Sequence, residues 1–91
     1  MNIKDIISKI ANFFGYSYEQ LLGKNISHKI SQARNFAYYI LHVDCRLSSN
    51  AIATAMNRKT RHIVRQNATT KYRINNFKQD KELYENIKKV I

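Results

Sequence analysis

A chain of 91 residues has room for one compact domain, here read as spanning 1–91. It leaves little space for an enclosed catalytic cavity, because folding at this size buries only about 60–65% of the unfolded chain's surface. Sixteen Lys and Arg against six Asp and Glu give +10, with two Gly, no Pro and 44% hydrophobic residues. That balance excludes a linker or disordered tail and points a small globular domain toward a polyanion, most commonly nucleic acid.

Helical periodicity runs from end to end. Ile3, Ile6, Ile7, Ile10, Phe13 and Phe14 form one apolar stripe, with Asn2 placed to cap the helix and Gly15 to end it. Lys4, Asp5 and Lys9 interrupt this stretch, so neither a signal peptide nor a membrane span is expected. Ser17-Tyr18-Glu19-Gln20 has capping-box spacing and opens a short helix with Leu21 and Leu22, closed by Gly23. After the polar stretch Lys24 to Lys29, a third helix is expected over Ile30 to Asp44. Its inner stripe is Ile30, Ala33, Ala37, Ile40 and Leu41, with Phe36 or Tyr38 at the border.

Cys45 and Arg46 make the next break. A short fourth helix takes Ser48 or Ser49 as cap and turns Ile52, Ala55 and Met56 inward. Asn57 is the turn residue before a fifth helix reaching roughly to Arg73. A last helix is expected to start at Asp80 as its cap and to present Leu83, Tyr84, Ile87, Val90 and Ile91. No period-2 strand appears. The fold class is all-α, a compact bundle of about six helices.

The charge is unevenly spread. Between Asp44 and Asp80 there is no acid, while Arg46, Arg58, Lys59, Arg61, Arg65, Lys71, Arg73 and Lys78 fall there. Arg58, Arg61, His62, Arg65 and Thr69 share one outer helical stripe, leaving Ile63, Val64 and Ala68 to face inward. Exposed cations at a helix start cost roughly 0.3–1 kcal/mol each at low salt, which a bound phosphate would offset. A short helix, a three- or four-residue turn and a helix with a polar outer face make a helix-turn-helix, here Ala51 to Arg65. Its second helix would place Arg58, Lys59, Arg61 and His62 at base edges.

Other chemistry finds little support. Cys45 stands alone, which excludes a disulfide framework or a Cys-based zinc site and suits a reducing compartment. His28, His42 and His62 share no ligand spacing, so no metal or other cofactor is expected. No nucleophile-base grouping is present and no enzyme is expected. Tyr38, Tyr39 and Tyr72 could stack on bases but read as core or border residues.

From Ile10 onward the chain resembles the C-terminal DNA-binding domain of DnaA, the bacterial chromosomal replication initiator. The landmarks are Ile10-Ala11-Asn12-Phe13-Phe14-Gly15-Tyr16-Ser17 leading to Leu21-Leu22-Gly23-Lys24, then Ala33 to Leu41, then Leu47-Ser48 with Ile52 to Met56. The resemblance implies a Trp-repressor-like, DnaA C-terminal fold. It implies backbone contacts from Lys24 in the minor-groove loop, from Arg34 as the phosphate-contacting Arg, and from Asn35 in place of Gln. Lys29, Thr60, Arg65 and Thr69 complete the backbone candidates. The family's box-reading Arg-Asp-His-Thr-Thr is replaced by Arg58-Lys59-Thr60-Arg61-His62, and its two-glycine turn by Asn57. A changed DNA preference is expected.

Gly23-Lys24-Asn25 is no phosphate loop, so no nucleotide partner is expected, and the chain reads as a stand-alone domain without the initiator's ATPase. Double-stranded DNA is the expected partner, in replication or transcription control. Abundant Asn, Ile, Lys and Tyr suit an AT-rich phage or mobile element. The expected location is cytoplasmic, on the nucleoid and away from membranes. The alternative is an interaction or packaging protein using its basic face on RNA or other polyanions without sequence specificity.

Overall fold

The structure is a computed structural model that describes residues 2–91. Six helices follow in order: α1 (Ile3–Phe13), α2 (Tyr18–Leu22), α3 (His28–Val43), α4 (Ser49–Met56), α5 (Thr60–Asn76) and α6 (Lys78–Lys88). Among the described residues there is no strand.

The caps explain where the early helices begin. Asn2 Oδ1 accepts from the Asp5 amide at 3.1 Å. Ser17 and Gln20 form a reciprocal capping box, and Ser48 Oγ accepts from the Ala51 amide at 3.1 Å. Each bond satisfies an N–H group that the helix itself leaves open. Gly15 turns the chain after α1 with φ +86°, a left-handed conformation that suits glycine.

α3 is the central element, packed on α1, α2, α4 and α5. Ile30, Ala33, Phe36, Ala37, Tyr38, Ile40 and Leu41 are buried on it, meeting Ile7, Ile10 and Phe14 from α1 and its end, Leu21 from α2 and Ile52 and Met56 from α4. Ala55, expected inward, is half-buried; Ala53 is buried instead. Tyr38, expected at the border, is fully buried and unable to stack on a base.

Three expectations fail in the second half. The inner face of α5 is Ile63, Asn67, Thr70 and Ile74, while Val64 (55% exposed) and Ala68 face solvent. Spacings of four, three and four keep one side of a helix inward, even where that side is polar. Asp80 is no cap: α6 begins two residues earlier, and the Asp80 carboxylate turns inward to Arg73 Nε at 2.9 Å. Val90 and Ile91 are exposed beyond α6.

α4, the three-residue turn Asn57–Lys59 and α5 make the helix-turn-helix. Asn57 adopts φ 55°, ψ 52°, and its N–H reaches back to the Ala53 and Thr54 carbonyls. Asn tolerates this left-handed conformation better than most residues, so one Asn suffices where a glycine would otherwise stand. Among the described residues no helix is long and apolar enough to cross a membrane.

Candidate nucleic-acid interface

α5 starts without a side-chain cap. Lys59 occupies the cap position and offers no acceptor, so the first N–H groups of the helix have no side-chain partner there. A helix start of this kind carries partial positive charge and is open to an anion. Beside it lies an open groove of about 640 Å³ between the 24–27 loop, α3 and α5, with Lys24, Arg34, Asn35, Tyr38, Arg58, Lys59, His62 and Arg65 among its lining residues. No carboxylate lines it. Among the described residues the ion pairs are Arg73–Asp80 and Lys78–Glu82, so the groove's cations meet no acid.

The candidates divide by what their donors already hold. Arg34 is buried, 6% exposed. Its guanidinium donates to the carbonyls of Leu21 (2.6 Å), Gly23 (2.8 Å) and Gln20 (3.2 Å), and also to that of Asn25. Burial, then the neighbouring Arg58 charge, pushes its pKa down, partly offset by Tyr38. A guanidinium stays protonated regardless, so four carbonyls hold a permanent charge. Arg34, expected at a phosphate, thus has its guanidinium turned inward onto backbone carbonyls.

Arg58, expected at a base edge, is also turned inward. It donates to Gly23 O at 2.6 Å and Leu22 O at 3.3 Å, and to the Met56 and Asn57 carbonyls at 3.3 and 3.1 Å. Lys59 and Arg65 are exposed on one lip of the groove and Lys24 on the opposite lip; Arg61 is exposed outside the groove lining. Ile26, 86% exposed, stands on the same lip, and nothing in its sequence neighbourhood singled it out.

His62 is half-buried, its ring edge-to-face with Tyr38 at 5.8 Å. Burial, then the Arg65 and Arg58 charges, holds its pKa below the usual imidazole value. The Tyr38 hydroxyl is buried, and burial pushes that phenol's pKa up against the opposing pull of Arg58 and Arg34. Gln66, also in the groove, follows His62 by one helical turn and was legible from that spacing.

The remaining candidates lie around this site. Thr60 Oγ1 donates to Asn50 Oδ1 at 2.7 Å, tying the start of α5 to α4. Lys29 stands over the Tyr16 ring at 5.8 Å, outside the groove lining. Thr69 donates to the Arg65 carbonyl at 3.3 Å and lines a neighbouring cavity with Asn35, Arg73 and Asp80. Among the described residues no three His, Cys, Asp or Glu side chains gather where a metal could be held.

Comparison with known proteins bears on this geometry directly. The family described as the bacterial DnaA protein helix-turn-helix matches residues 3–69, which takes in α1 to α4, the turn and the first half of α5. No curated protein matches the chain. The match spans well over half the sequence and includes both lips of the groove. The chain therefore belongs to the DnaA C-terminal helix-turn-helix family, a DNA-binding and non-catalytic one.

Proposed function

We propose that residues 1–91 act as one domain that binds double-stranded DNA with the first turns of α5 in the major groove and the 24–27 loop against the flanking backbone. Lys59 and Arg61 are the base-reading groups in this reading, and Lys24 and Arg65 are backbone contacts. The observation that carries it is the acid-free groove beside an uncapped helix start, rimmed by cations that no carboxylate neutralises. The role in this reading is replication or transcription control on the nucleoid, which membership of the family supports, and the Asn-, Ile-, Lys- and Tyr-rich composition supports a phage or mobile-element setting.

The sequence preference differs from the family's. Lys59 donates hydrogen bonds and cannot accept one from a cytosine amino group, as an Asp in its place would. The initiator's usual box should therefore be preferred over scrambled duplex by no more than about tenfold, equivalent to about 1.4 kcal/mol. A second reading, an interaction or packaging protein that binds RNA or other polyanions without sequence specificity, is favoured by Arg58, whose donors are occupied by carbonyls.

Affinity measured across a salt series tests the core of the proposal. If about five phosphates are neutralised, log K falls with log salt at a slope of roughly −4 to −5. A slope near zero rejects it. Selection of duplexes from a random pool separates the two readings, since packaging would enrich none.

A further inference from the structure

We propose that Arg58 is a positioning residue, holding the 24–27 loop in register with the start of α5 so that both engage a duplex together. The inference deepens the DNA reading above and rests on it.

It begins with α2. A five-residue helix ends with carbonyls that have no partner further along the helix, and such groups must be satisfied from outside. Two arginines do this from different directions. Arg34, on the helix into which the loop runs, takes the Gln20, Leu21 and Gly23 carbonyls together with that of Asn25. Arg58, from the helix-turn-helix turn, takes Leu22 O and Gly23 O. Between them every carbonyl from Gln20 to Gly23 receives a guanidinium N–H, and both guanidinium groups meet on Gly23 O.

Of the two arginines, Arg58 is the one that ties this corner to the DNA-facing turn. Its bonds span 35 and 36 residues of sequence, whereas those of Arg34 span 9 to 14. Lys24 follows the shared carbonyl directly, and Lys59 follows Arg58 directly. The planar guanidinium fixes direction as well as distance, which a Lys ammonium would not. One side chain thereby sets the separation between two exposed cations on opposite lips of the groove.

The test is a four-protein cycle of wild type, Lys24→Ala, Arg58→Met and the double variant, each titrated with the same duplex at low salt. Lys24→Ala should weaken wild-type binding about fivefold, but the Arg58→Met protein by less than about twofold, since coupled residues are non-additive. Base preference among selected duplexes should keep its pattern in Arg58→Met, and Arg58→Lys should fall between Arg58→Met and wild type. If Arg58→Met fails to melt cooperatively, Arg58→Lys carries the same cycle.

Additive losses, or no effect of Lys24→Ala on wild-type binding, would overturn the proposal. Loss of preference at a single base pair would make Arg58 a direct reader instead. Amide exchange of the free protein needs no DNA: residues 24–27 should exchange faster in Arg58→Met, and unchanged exchange also overturns it. Failure of the wild type to bind any duplex would reject the DNA reading, a result the exchange arm keeps separate.

Discussion

α3 buries eight of its sixteen residues and α5 four of its seventeen, and the two helices pack against each other. Seven of the eight in α3 are apolar; two of the four in α5 are Asn67 and Thr70. The same contrast runs through their arginines. Arg34 is surrounded by carbonyls and serves the fold, whereas Arg61 and Arg65 stand in solvent with no acid beside them. In a chain of +10, the role of a cation is set by which acceptors the backbone brings within its reach. α3 builds the scaffold, and α5 gives up core packing to present charge.

Breaking the α3 side of this contrast should have the largest effect. Arg34→Ala takes a donor from four carbonyls, leaves those of Leu21 and Asn25 without one, and should lower stability by roughly 3 kcal/mol in urea denaturation. A near-wild-type midpoint with uniformly weaker DNA binding would return Arg34 to the phosphate backbone. On the α5 side, Arg61→Ala should weaken duplex binding about tenfold and flatten its preference, while stability changes by less than about 0.5 kcal/mol. Lys78→Ala, remote from the groove and paired with Glu82 at 3.9 Å, should change neither measurement. A melting point that falls with Arg61→Ala would erase the distinction between the helices.

The polar inner face of α5 offers a change in the other direction. Among the described residues neither polar atom of the Asn67 side chain finds a hydrogen-bond partner, although both are buried. Asn67→Leu removes those unsatisfied groups and improves helix propensity, so it should stabilise the protein by about 1 kcal/mol. Destabilisation would mean that the amide is held by an unseen partner such as water.

The smallest effect is the pH response of His62. Its folded pKa lies below 6.5, so the unfolded chain takes up the proton first as pH falls. Its contribution to stability is complete above about pH 6.5 and is lost as pH drops toward the folded pKa; melting points across about pH 5.5 to 7.5 should show this, and His62→Gln should flatten it. A phosphate in the groove reverses the sign for binding, because it favours the imidazolium. Affinity should therefore rise on acidification, while binding indifferent to pH would place His62 with the core of α3.

Much of this architecture was legible because the early helices announce themselves locally. Asn2, the Ser17–Gln20 box and Ser48 cap where the sequence puts them, and the α1 stripe is apolar at helical spacing. Legibility ends where the deciding partner is remote. Asp80 before an amphipathic run looks like a cap, but its carboxylate answers Arg73 across the corner at Phe77. Val64 and Ala68 are apolar and read as inward, whereas phase along the helix puts Asn67 and Thr70 there. Of the groove's cations, Arg58, Lys59 and Arg65 are legible in the acid-free block between Asp44 and Asp80, whereas Lys24 and Arg34 are legible only through the family resemblance. That Arg34 and Arg58 would be absorbed by carbonyls depended on the path of the 24–27 loop, which no short window of sequence encodes.

α6 lies beyond the family match and is anchored lightly. It buries only Asp80 and Ile87 fully, with Tyr84 Oη donating to Asp44 at 2.8 Å as a further tether. An element held by so few buried groups opens at a lower free energy than the core it rests on. On that ground α6 should open before α1 to α4, uncovering Ile74 and the C-terminal turns of α5, and limited proteolysis should cut first at this far end of the helix-turn-helix.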